Sequence, residues 1–326
     1  MLRSELKESM KKQMYKSFYE GEQYDKYVPQ YKNLLKMENS TAAYEQSTSI
    51  IGEGVLEETV EGQDAPVRNV KEAWTTIGKN RSFKERYIIT KEAQDDLQQV
   101  KGILKKKAYG WGNMWETTKD ELAAKVFNYG SIAAGNAVFN NAIANGVLAD
   151  STGNLIYDNR ALFVLDGAVG VEHPTKALNY YHNHGGALAL TSSNFQTMYN
   201  LMAVTNSFNE DGEKISLKPD TLLIPPSLKF TADVLMNSTN VPGSNNNDKN
   251  VLKSIVNVVE WDKLTDADGW FLGCKGKGLI FQDRMGIEID FFEDKRSKNW
   301  EATCMGRAGV RVDNWRFWVA ANTSTT

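Results

Sequence analysis

The sequence predicts an α+β protein, and three stretches of the chain carry that prediction. From Thr90 to about Asn128, small and apolar residues recur every three or four positions, which matches the roughly 3.6-residue period of an α-helix. Residues 50–89 are rich in β-forming side chains separated by turn residues. From Trp270 onward, nearly every segment has the composition and alternation of strands. One long helix is therefore expected beside separate β-rich regions.

The long helix is expected to bury one apolar stripe along its whole length. Thr90 is a suitable N-cap, and a helix of this length spans on the order of 55 Å. Such a length exceeds the radius of a compact domain of this size, so the helix is expected to serve as a beam, although a long core helix of any α/β protein would show the same pattern. The adjacent carboxylates Asp120 and Glu121 are expected on the solvated side. The predicted core residues are Leu97, Leu104, Trp111, Trp115, Leu122 and Val126.

Residues 50–89 predict a long β-hairpin whose two arms carry opposite charge. Glutamates crowd the first half and arginines and lysines the second half. Two alternatives stay open at this point. The arms pair with each other, in which case each exposed ion pair contributes about 0–1 kcal/mol, or part of the charge meets a neighbouring molecule.

The remaining segments complete the predicted order of elements. Residues 1–49 are polar and rich in tyrosine, and they cannot bury a core of their own. Such a segment is either disordered or an arm that lies on something else, and the aromatic content favours the arm. Ser193 is the expected cap of a helix. Residues 221–224 form an expected buried strand, and Pro225 and Pro226 end it and begin the next helix. The last strands are expected at 300–307 and 310–319.

Composition excludes several classes of protein. The net charge of −3 argues against a dedicated nucleic-acid binder. Two cysteines in 326 residues form no disulfide framework and are typical of a reducing compartment. The charged N-terminus is unlike a signal peptide, and no apolar run approaches the ~20 residues of a membrane span. A soluble, cytoplasmic protein is expected.

No catalytic or metal-binding motif stands out in the chain. His173, His182 and His184 lie within a short stretch, but they lack a second tight ligand pair, so surface or hinge histidines are expected. Gly276 and Gly278 precede a strand instead of a helix, which indicates a turn and not a phosphate loop. We therefore expect no enzyme activity, no cofactor and no metal.

Four segments, taken in this order, resemble one known family. They are EGQDAP at 61–66, RYIITKEAQDD at 86–96, KPDTLLIPPSLKFTADVLMNS at 218–238 and GRAGVRVDNWRFW at 306–318. The chain resembles major capsid proteins of tailed bacteriophages with the Hong Kong 97-type fold, and it is similar in particular to Mu-like major head subunits. The resemblance covers the order of elements along nearly the whole chain, and the strand–Pro-Pro–helix segment is its best motif.

The resemblance implies a division of the chain into five parts. It assigns an N-terminal arm to 1–49, an extended hairpin loop to 50–89 and a peripheral domain with a spine helix to 90–186. It assigns the axial domain, at the centre of hexamers and pentamers, to 187–294, and strands returning to the peripheral sheet to 295–326.

The resemblance also implies function and partners. The expected function is a structural shell protein of the virion, assembled in the host cytoplasm from hexamers and pentamers around double-stranded DNA. Expected partners are further copies of the chain, a separate scaffolding protein, a portal and a decoration protein, with no membrane and no sequence-specific DNA contact. The alternatives are an encapsulin-like compartment shell and a hydrolase with a helical lid. The resemblance favours intersubunit contact by the charged hairpin, through Glu57, Glu58, Glu61, Trp74, Arg81, Lys84 and Arg86.

Overall fold

A computed structural model provides the structure of this protein. It describes residues 12–13, 15–17, 28–51, 58–64, 67, 71–90, 100–131, 161–165, 181–209, 212–241, 248–294 and 296–323. Within the described part of the chain, no helix has the length and apolar character needed to cross a membrane.

The described elements come as runs of strands separated by helices. The first half contains α1 (Tyr31–Leu34), β1 (Lys36–Asn39), β2 (Tyr44–Ile51), β3 (Lys71–Lys79), β4 (Arg81–Ile89) and α2 (Val100–Asn128). The second half contains α3 (Ser192–Asn200), a π-turn (Leu201–Thr205), β5 (Thr221–Ile224), α4 (Lys229–Asn237), β6 (Asn257–Glu260), β7 (Trp270–Gly273), β8 (Leu279–Glu293), β9 (Trp300–Val312) and β10 (Trp318–Ala321). Short 3₁₀ turns at Pro226–Leu228 and Trp315–Phe317 precede α4 and β10.

The first sheet has the strand order β1-β8-β9-β4. The long strands β8 and β9 pair antiparallel from Leu279–Val312 to Glu293–Trp300, and β4 pairs antiparallel with the other edge of β9. β1 runs parallel to β8. The sequence predicted two closing strands, at 300–307 and 310–319. The structure has a single strand β9 over most of this region, because its pairing with β8 continues across Ala308 and Gly309.

The β-hairpin is formed by β2 and β3, which pair antiparallel from Tyr44–Lys79 to Ile51–Lys71. The predicted hairpin over 50–89 is therefore wrong in its second arm. β4 leaves the hairpin after Asn80 and pairs with β9 instead. The physical reason is that β4 has an alternating half-buried face, so it buries more apolar surface by joining the sheet beside α2. Phe83 on this face packs against the first core, the buried cluster that includes Trp115, Phe127, Phe281 and Trp318.

The second sheet has the order β10-β7-β5-β6. One face packs on α3 and α4 through the cluster that contains Leu222, Trp270 and Val319. The opposite face contributes Leu223, Phe271 and Trp318 to the first core, where α2 ends. The sequence placed β8 in the segment 187–294 and placed β9 and β10 together in 295–326, whereas β8 and β9 share the first sheet and β10 pairs with β7 in the second. The physical reason is that β10 buries apolar residues on both of its faces. Trp318 and Ala320 pack in the first core, and Val319 and Ala321 pack in the cluster beneath α3 and α4.

The long helix lies on the first sheet. Its side chains Trp111, Trp115, Leu122 and Val126 are buried, while Leu97 and the side chain of Leu104 lie outside the described residues. Trp115 packs against β9, where a β-carbon at Gly306 would lie 2.6 Å from its ring. The helix is thus joined to the C-terminal strands through its tryptophans.

One prediction for a polar residue is wrong, and the N-terminal segment packs on the rest of the chain. That segment, expected to have no core of its own, buries Tyr31, Leu34 and Leu35 in the first core, because α1 docks beside α2 and β1 extends the first sheet. Asp120, expected in solvent, is 0% exposed because it accepts hydrogen bonds from Tyr31 N and Trp261 Nε1. A carboxylate is tolerated there because its acceptor oxygens are paired.

Two smaller predictions also change. The cap of α3 is Thr191, whose Oγ1 accepts from Asn194 N, and Ser193 lies inside the helix. His184 was expected at the surface, but it is buried between residues 183–186 and the end of β10. His182 is partly exposed, and His173 lies outside the described residues.

Candidate functional site

The root of the β2–β3 hairpin is fastened by a cluster of short polar contacts. Asn80 Nδ2 donates to Ser40 Oγ at 2.5 Å and to Ala42 O at 2.8 Å. Glu45 Oε1 accepts from Ser40 Oγ at 2.7 Å and from two backbone N–H groups of the turn. These hydrogen bonds, first of all the one from Ser40, hold the pKa of Glu45 below its usual range. The turn before β2 and the residue after β3 are therefore joined at one point.

The hairpin rests on the first sheet directly above this root. A β-carbon at Gly78 would lie 2.7 Å from Cβ of Arg311, so only glycine allows β3 to approach β9 this closely. Ser47 Oγ donates to Asp313 Oδ1 at 2.6 Å. Beyond these contacts, Thr48 and Thr75 join the two strands across the hairpin, with 3.1 Å between their hydroxyl oxygens. The near end of the hairpin is thus fixed by its own subunit.

The far end of the hairpin is exposed to solvent. Every described residue of the tip, at 58–64 and at 67, is exposed, and Val60 keeps 72% of its surface. Gly62 adopts a positive φ of 89° in the turn where Gln63 N donates to Val60 O. The tip is acidic through Glu58, Glu61 and Asp64. Two further predicted contact residues cannot be placed: Glu57 and the side chain of Trp74 lie outside the described residues.

The predicted basic contact residues lie on β4, and they occupy both of its faces. Lys84 and Arg86 are exposed on the outer face, and Arg86 Nη1 lies 3.5 Å from Glu301 Oε2 on β9. Arg81 is an odd-numbered residue of the strand, so its side chain is on the opposite face. Lys84 and Arg86 form the exposed basic pair that the sequence predicted, but Arg81 does not share their surface.

The described residues of the acidic hairpin tip form no ion pair with the basic residues Lys84 and Arg86 of β4 in the same subunit. Among the described residues, no ion pair joins Glu58, Glu61 or Asp64 to Lys84 or Arg86. The acidic tip lies in the segment between β2 and β3, whereas Lys84 and Arg86 lie on β4 in the first sheet. The subunit presents an exposed acidic surface and an exposed basic surface that are separate.

The inner face of β4 holds the strand against α2. Phe83 meets Trp115 edge to face, with ring centroids 6.0 Å apart. Glu85 accepts a hydrogen bond from Trp111 Nε1 and forms a 3.2 Å ion pair with Lys107. Because one face is packed on the helix, the other face is held in a fixed position, and the spacing of Lys84 and Arg86 is set by the strand.

A second polar cluster lies beneath α2. Glu116 pairs with Lys119 Nζ at 2.7 Å and with Lys32 Nζ at 2.9 Å. Burial by itself would raise the pKa of Glu116, but the hydrogen bonds from the two lysines outweigh it and hold that pKa below its usual range. Lys119 is buried over the rings of Tyr31 and Trp115. The cluster joins α1 to α2.

The arrangement contains little that resembles a reaction centre. Within the described residues, no group of three or more His, Cys, Asp or Glu side chains is placed to hold a metal ion. A hollow of about 330 Å³ is lined by residues that include His184, Asp266 and Thr323. Both ring nitrogens of His184 have hydrogen-bond partners within the fold: Nδ1 accepts from Gly186 N, and Nε2 lies 2.7 Å from Thr323 Oγ1.

Sequence reasoning missed the residues that fasten the hairpin and the helix. The contacts by which Gly78, Asn80 and Asp120 fasten the fold join them to residues distant in the chain. The Lys-Asn-Arg run at 79–81 is a turn signal that separates β3 from β4 and that would have shortened the predicted hairpin.

Comparison with known proteins identifies the family. A family model described as phage capsid protein matches residues 82–321. Among curated protein sequences, none matches this chain. The capsid of the cyanophage P-SCSP1u superposes with a TM-score of 0.52 at 9% identity, covering 92% of this chain and 89% of the other.

Two further capsid structures agree. The Mycobacterium phage Patience structure gives a TM-score of 0.51 at 12% identity over 90% of this chain and 83% of its own. The mature capsid of bacteriophage PhiM1 gives 0.51 at 9% identity over 93% and 90%. At these identities the likeness concerns the fold, and the fold is shared along nearly the full length of each chain.

Proposed function

The chain belongs to the phage capsid protein family, and from this premise we propose how its copies meet in the shell. It is a structural protein of the capsid, with the Hong Kong 97-type fold that the sequence predicted. The enzyme and compartment-shell alternatives are not favoured by this match. Copies of the subunit assemble into hexamers and pentamers of an icosahedral shell that encloses double-stranded DNA.

One observation carries the proposal for the contact between subunits. The β2–β3 hairpin is fastened at its root, while its acidic tip is exposed and is not paired with its own β4. A two-stranded hairpin alone is only marginally stable in water, so a contact at the tip must come from another molecule. The tip residues Glu57, Glu58 and Glu61 then meet the basic β4 face of a neighbouring subunit, and Trp74 adds to the same contact.

The proposal also assigns a role to each segment. The first sheet with α2 forms the peripheral domain, and the second sheet with α3 and α4 forms the axial domain near the capsomer axis. A scaffolding protein, a portal and a decoration protein are the further partners that the proposal implies, and assembly takes place in the host cytoplasm. With a net charge of −3, the shell encloses DNA without attracting it strongly.

Charge reversal on each side of the proposed contact tests it. Lys84→Glu with Arg86→Glu makes both surfaces acidic, and Glu58→Lys with Glu61→Lys makes both basic. Each double variant is expected to fold but to fail in assembly, because like charges then meet between subunits. Lys106→Glu, an exposed reversal on α2, is the matched control and should assemble normally.

Mixing the two failed variants is the decisive step. In the mixture each tip can face an oppositely charged β4, so particles should appear in electron micrographs. Raised salt should weaken wild-type assembly, because exposed charges are screened over roughly 8–10 Å. If the mixture stays unassembled while one chain that carries all four changes assembles, the pairing is internal and the proposed contact is wrong.

A further inference from the structure

Lys119 carries a buried amino group that lies between two carboxylates. Its side chain is 6% exposed, and its Nζ lies 2.7 Å from Glu116 Oε1 on the same helix and 3.7 Å from Asp283 Oδ2 on β8. Burying an ammonium group is costly, and a counter-ion repays that cost only when the geometry is excellent. The contact with Glu116 is a hydrogen bond, whereas 3.7 Å is too long for one. The amino group of Lys119 and the carboxyl group of Asp283 therefore touch without a hydrogen bond between them.

Aromatic rings surround the amino group of Lys119. Nζ lies 5.6 Å from the centre of the Trp115 ring and 5.8 Å from the centre of the Tyr31 ring. Phe281 lies next to Tyr31, with ring centroids 4.5 Å apart. The rings keep water away from the apolar sides of the amino group. In such surroundings a neutral product is favoured over two separate charges.

Asp283 is held in place by both neighbouring strands. Its register partners are Asn39 on β1 and Ala308 on β9, and its carbonyl oxygen accepts from Ser40 N at 3.0 Å. A shift in strand register separates Asp283 from Met285, and irregularities of this kind re-aim side chains. Since the long helix is also fixed on this sheet, rigid elements hold the two groups together. Such fixed proximity is the condition under which intramolecular reactions are accelerated most.

We propose that Lys119 and Asp283 join in an amide bond within one subunit, with Glu116 as the catalytic base. Nζ of Lys119 forms a bond to Cγ of Asp283, and the bond between Cγ and Oδ2 breaks. Glu116 Oε1 takes two protons from Nζ in turn and passes them to Oδ2, which leaves as water. One ammonium and one carboxylate thus become one amide and one water molecule, and no oxidant, reductant or cofactor is consumed.

Glu116 suits this role because its two oxygens have different partners. Oε1 faces Lys119. Oε2 lies 2.9 Å from Lys32 Nζ and accepts from Tyr31 Oη at 3.2 Å. When Lys119 has lost its charge, Lys32 remains as the counter-ion of Glu116, so the carboxylate is not left buried and unpaired.

The amide bond would tie the long helix to the first sheet. Residues 119–283 would then form a closed loop, and a cross-link of this kind lowers the entropy of the unfolded chain. The bond joins two groups of the same chain, so it forms whether or not copies of the subunit assemble. The inference therefore stands or falls separately from the proposed shell function.

Mass spectrometry of the purified full-length chain under denaturing conditions tests the inference. The wild type should be lighter than its sequence by the mass of one water molecule. Tryptic digestion should yield a branched peptide that joins residues 108–125, uncut after Lys119, to residues 278–284. On denaturing gels the linked chain should migrate ahead of variants that cannot form the bond, because a closed loop is more compact.

Four variants assign the roles. Lys119→Arg keeps the charge but should keep its full mass, because a guanidinium stays protonated. Asp283→Asn should lose ammonia in place of water. Glu116→Gln, refolded from urea-dissolved inclusion bodies, should form the bond more slowly than the wild type by on the order of a hundredfold. Lys32→Arg is the matched control, since Lys32 is an exposed lysine that pairs with the same glutamate, and it should show the wild-type loss of mass.

A wild-type chain of full mass would overturn the inference, because Lys119 would then form ion pairs only. This readout does not depend on whether any variant folds. A loss of water that persists in Lys119→Arg would place the reaction elsewhere in the chain. A linear peptide 108–125 that lacks one water would assign the bond to Glu116 and refute Asp283 as the partner. Bond formation at the wild-type rate in Glu116→Gln would refute the catalytic role of Glu116.

Discussion

Asp120 is a single buried carboxylate that joins three parts of the subunit. It lies in α2 and accepts hydrogen bonds from Tyr31 N at 3.0 Å and from Trp261 Nε1 at 2.8 Å. Tyr31 belongs to the N-terminal segment, and Trp261 follows β6 of the second sheet. Position along the helix does not reveal this role, since the neighbouring Glu121 is exposed.

Removing this carboxylate should be costly. Asp120→Ala leaves two buried N–H donors without an acceptor, and each such loss costs about 1–3 kcal/mol. We expect a clearly lower denaturation midpoint for unassembled Asp120→Ala subunits, measured in urea. Glu121→Ala is the matched control and should stay within about 0.5 kcal/mol of the wild type. Equal midpoints for the two variants would show that the Asp120 hydrogen bonds do not contribute.

His184 should make stability depend on pH. Burial lowers its pKa to about 4, chiefly by disfavouring the charged ring, whereas the unfolded chain titrates near 6.5. Between these values the unfolded state binds the extra proton, so the free energy of unfolding falls as the pH is lowered from about 6.5 to about 4. The loss is at most about 3 kcal/mol and does not grow further below that window.

The variant His184→Gln isolates this effect. Glutamine does not titrate, so the slope of stability against pH between about 4 and 6.5 should be shallower in the variant than in the wild type. Urea denaturation at several pH values measures the slope directly. An unchanged slope would assign the pH dependence to other groups.

The long helix depends on its tryptophans for its place on the first sheet. Trp115 fills the space above Gly306 and contacts Phe83 on β4, so it joins α2 to two strands. The stripe predicted from sequence thus includes the residues that hold helix and sheet together. A buried tryptophan replaced by alanine leaves a cavity, which typically costs 3–5 kcal/mol.

Trp115→Ala is therefore expected to lower the stability of the unassembled subunit by about 3–5 kcal/mol. Met114 is the adjacent residue and is largely exposed, so Met114→Ala should change stability by no more than about 0.5 kcal/mol. Denaturant titration followed by circular dichroism compares the two. A Trp115→Ala midpoint equal to that of Met114→Ala would mean that α2 does not rely on this contact.

At the scale of the whole molecule, the N-terminal segment is part of the fold. Tyr31, Leu34 and Leu35 are buried, and β1 forms the edge of the first sheet beside β8. Each buried side chain of this size contributes a few kcal/mol, and total stabilities are only about 5–15 kcal/mol. The segment cannot be removed as a separate arm.

Two truncations test this conclusion. Deletion of residues 1–45 should abolish cooperative unfolding, because it removes α1, β1 and the start of β2. Deletion of residues 1–27 keeps all three, and that chain should still melt cooperatively. Thermal melts recorded by circular dichroism compare the variants. A cooperative melt of the chain that lacks residues 1–45 would show that these residues have no role in the core.

The sequence by itself determined the fold class, the long helix, the buried strand at 221–224 and the family. These features depend on local periodicity and on turn-forming residues, and both are patterns among neighbouring residues of the chain. The exposure of Lys84 and Arg86 was also predictable from the sequence, because alternate residues of a strand lie on opposite faces.

Only the tertiary structure decided where the strands pair and which polar residues are buried. Pairing joins residues far apart in the chain: β4 and β9 are separated by more than half the sequence, so hairpin and sheet strands look alike locally. Likewise, Asp120 and Glu121 are chemically equivalent in sequence, and only the arrival of Tyr31 and Trp261 makes one of them a buried acceptor. Burial of a polar group depends on partners that the folded chain brings together.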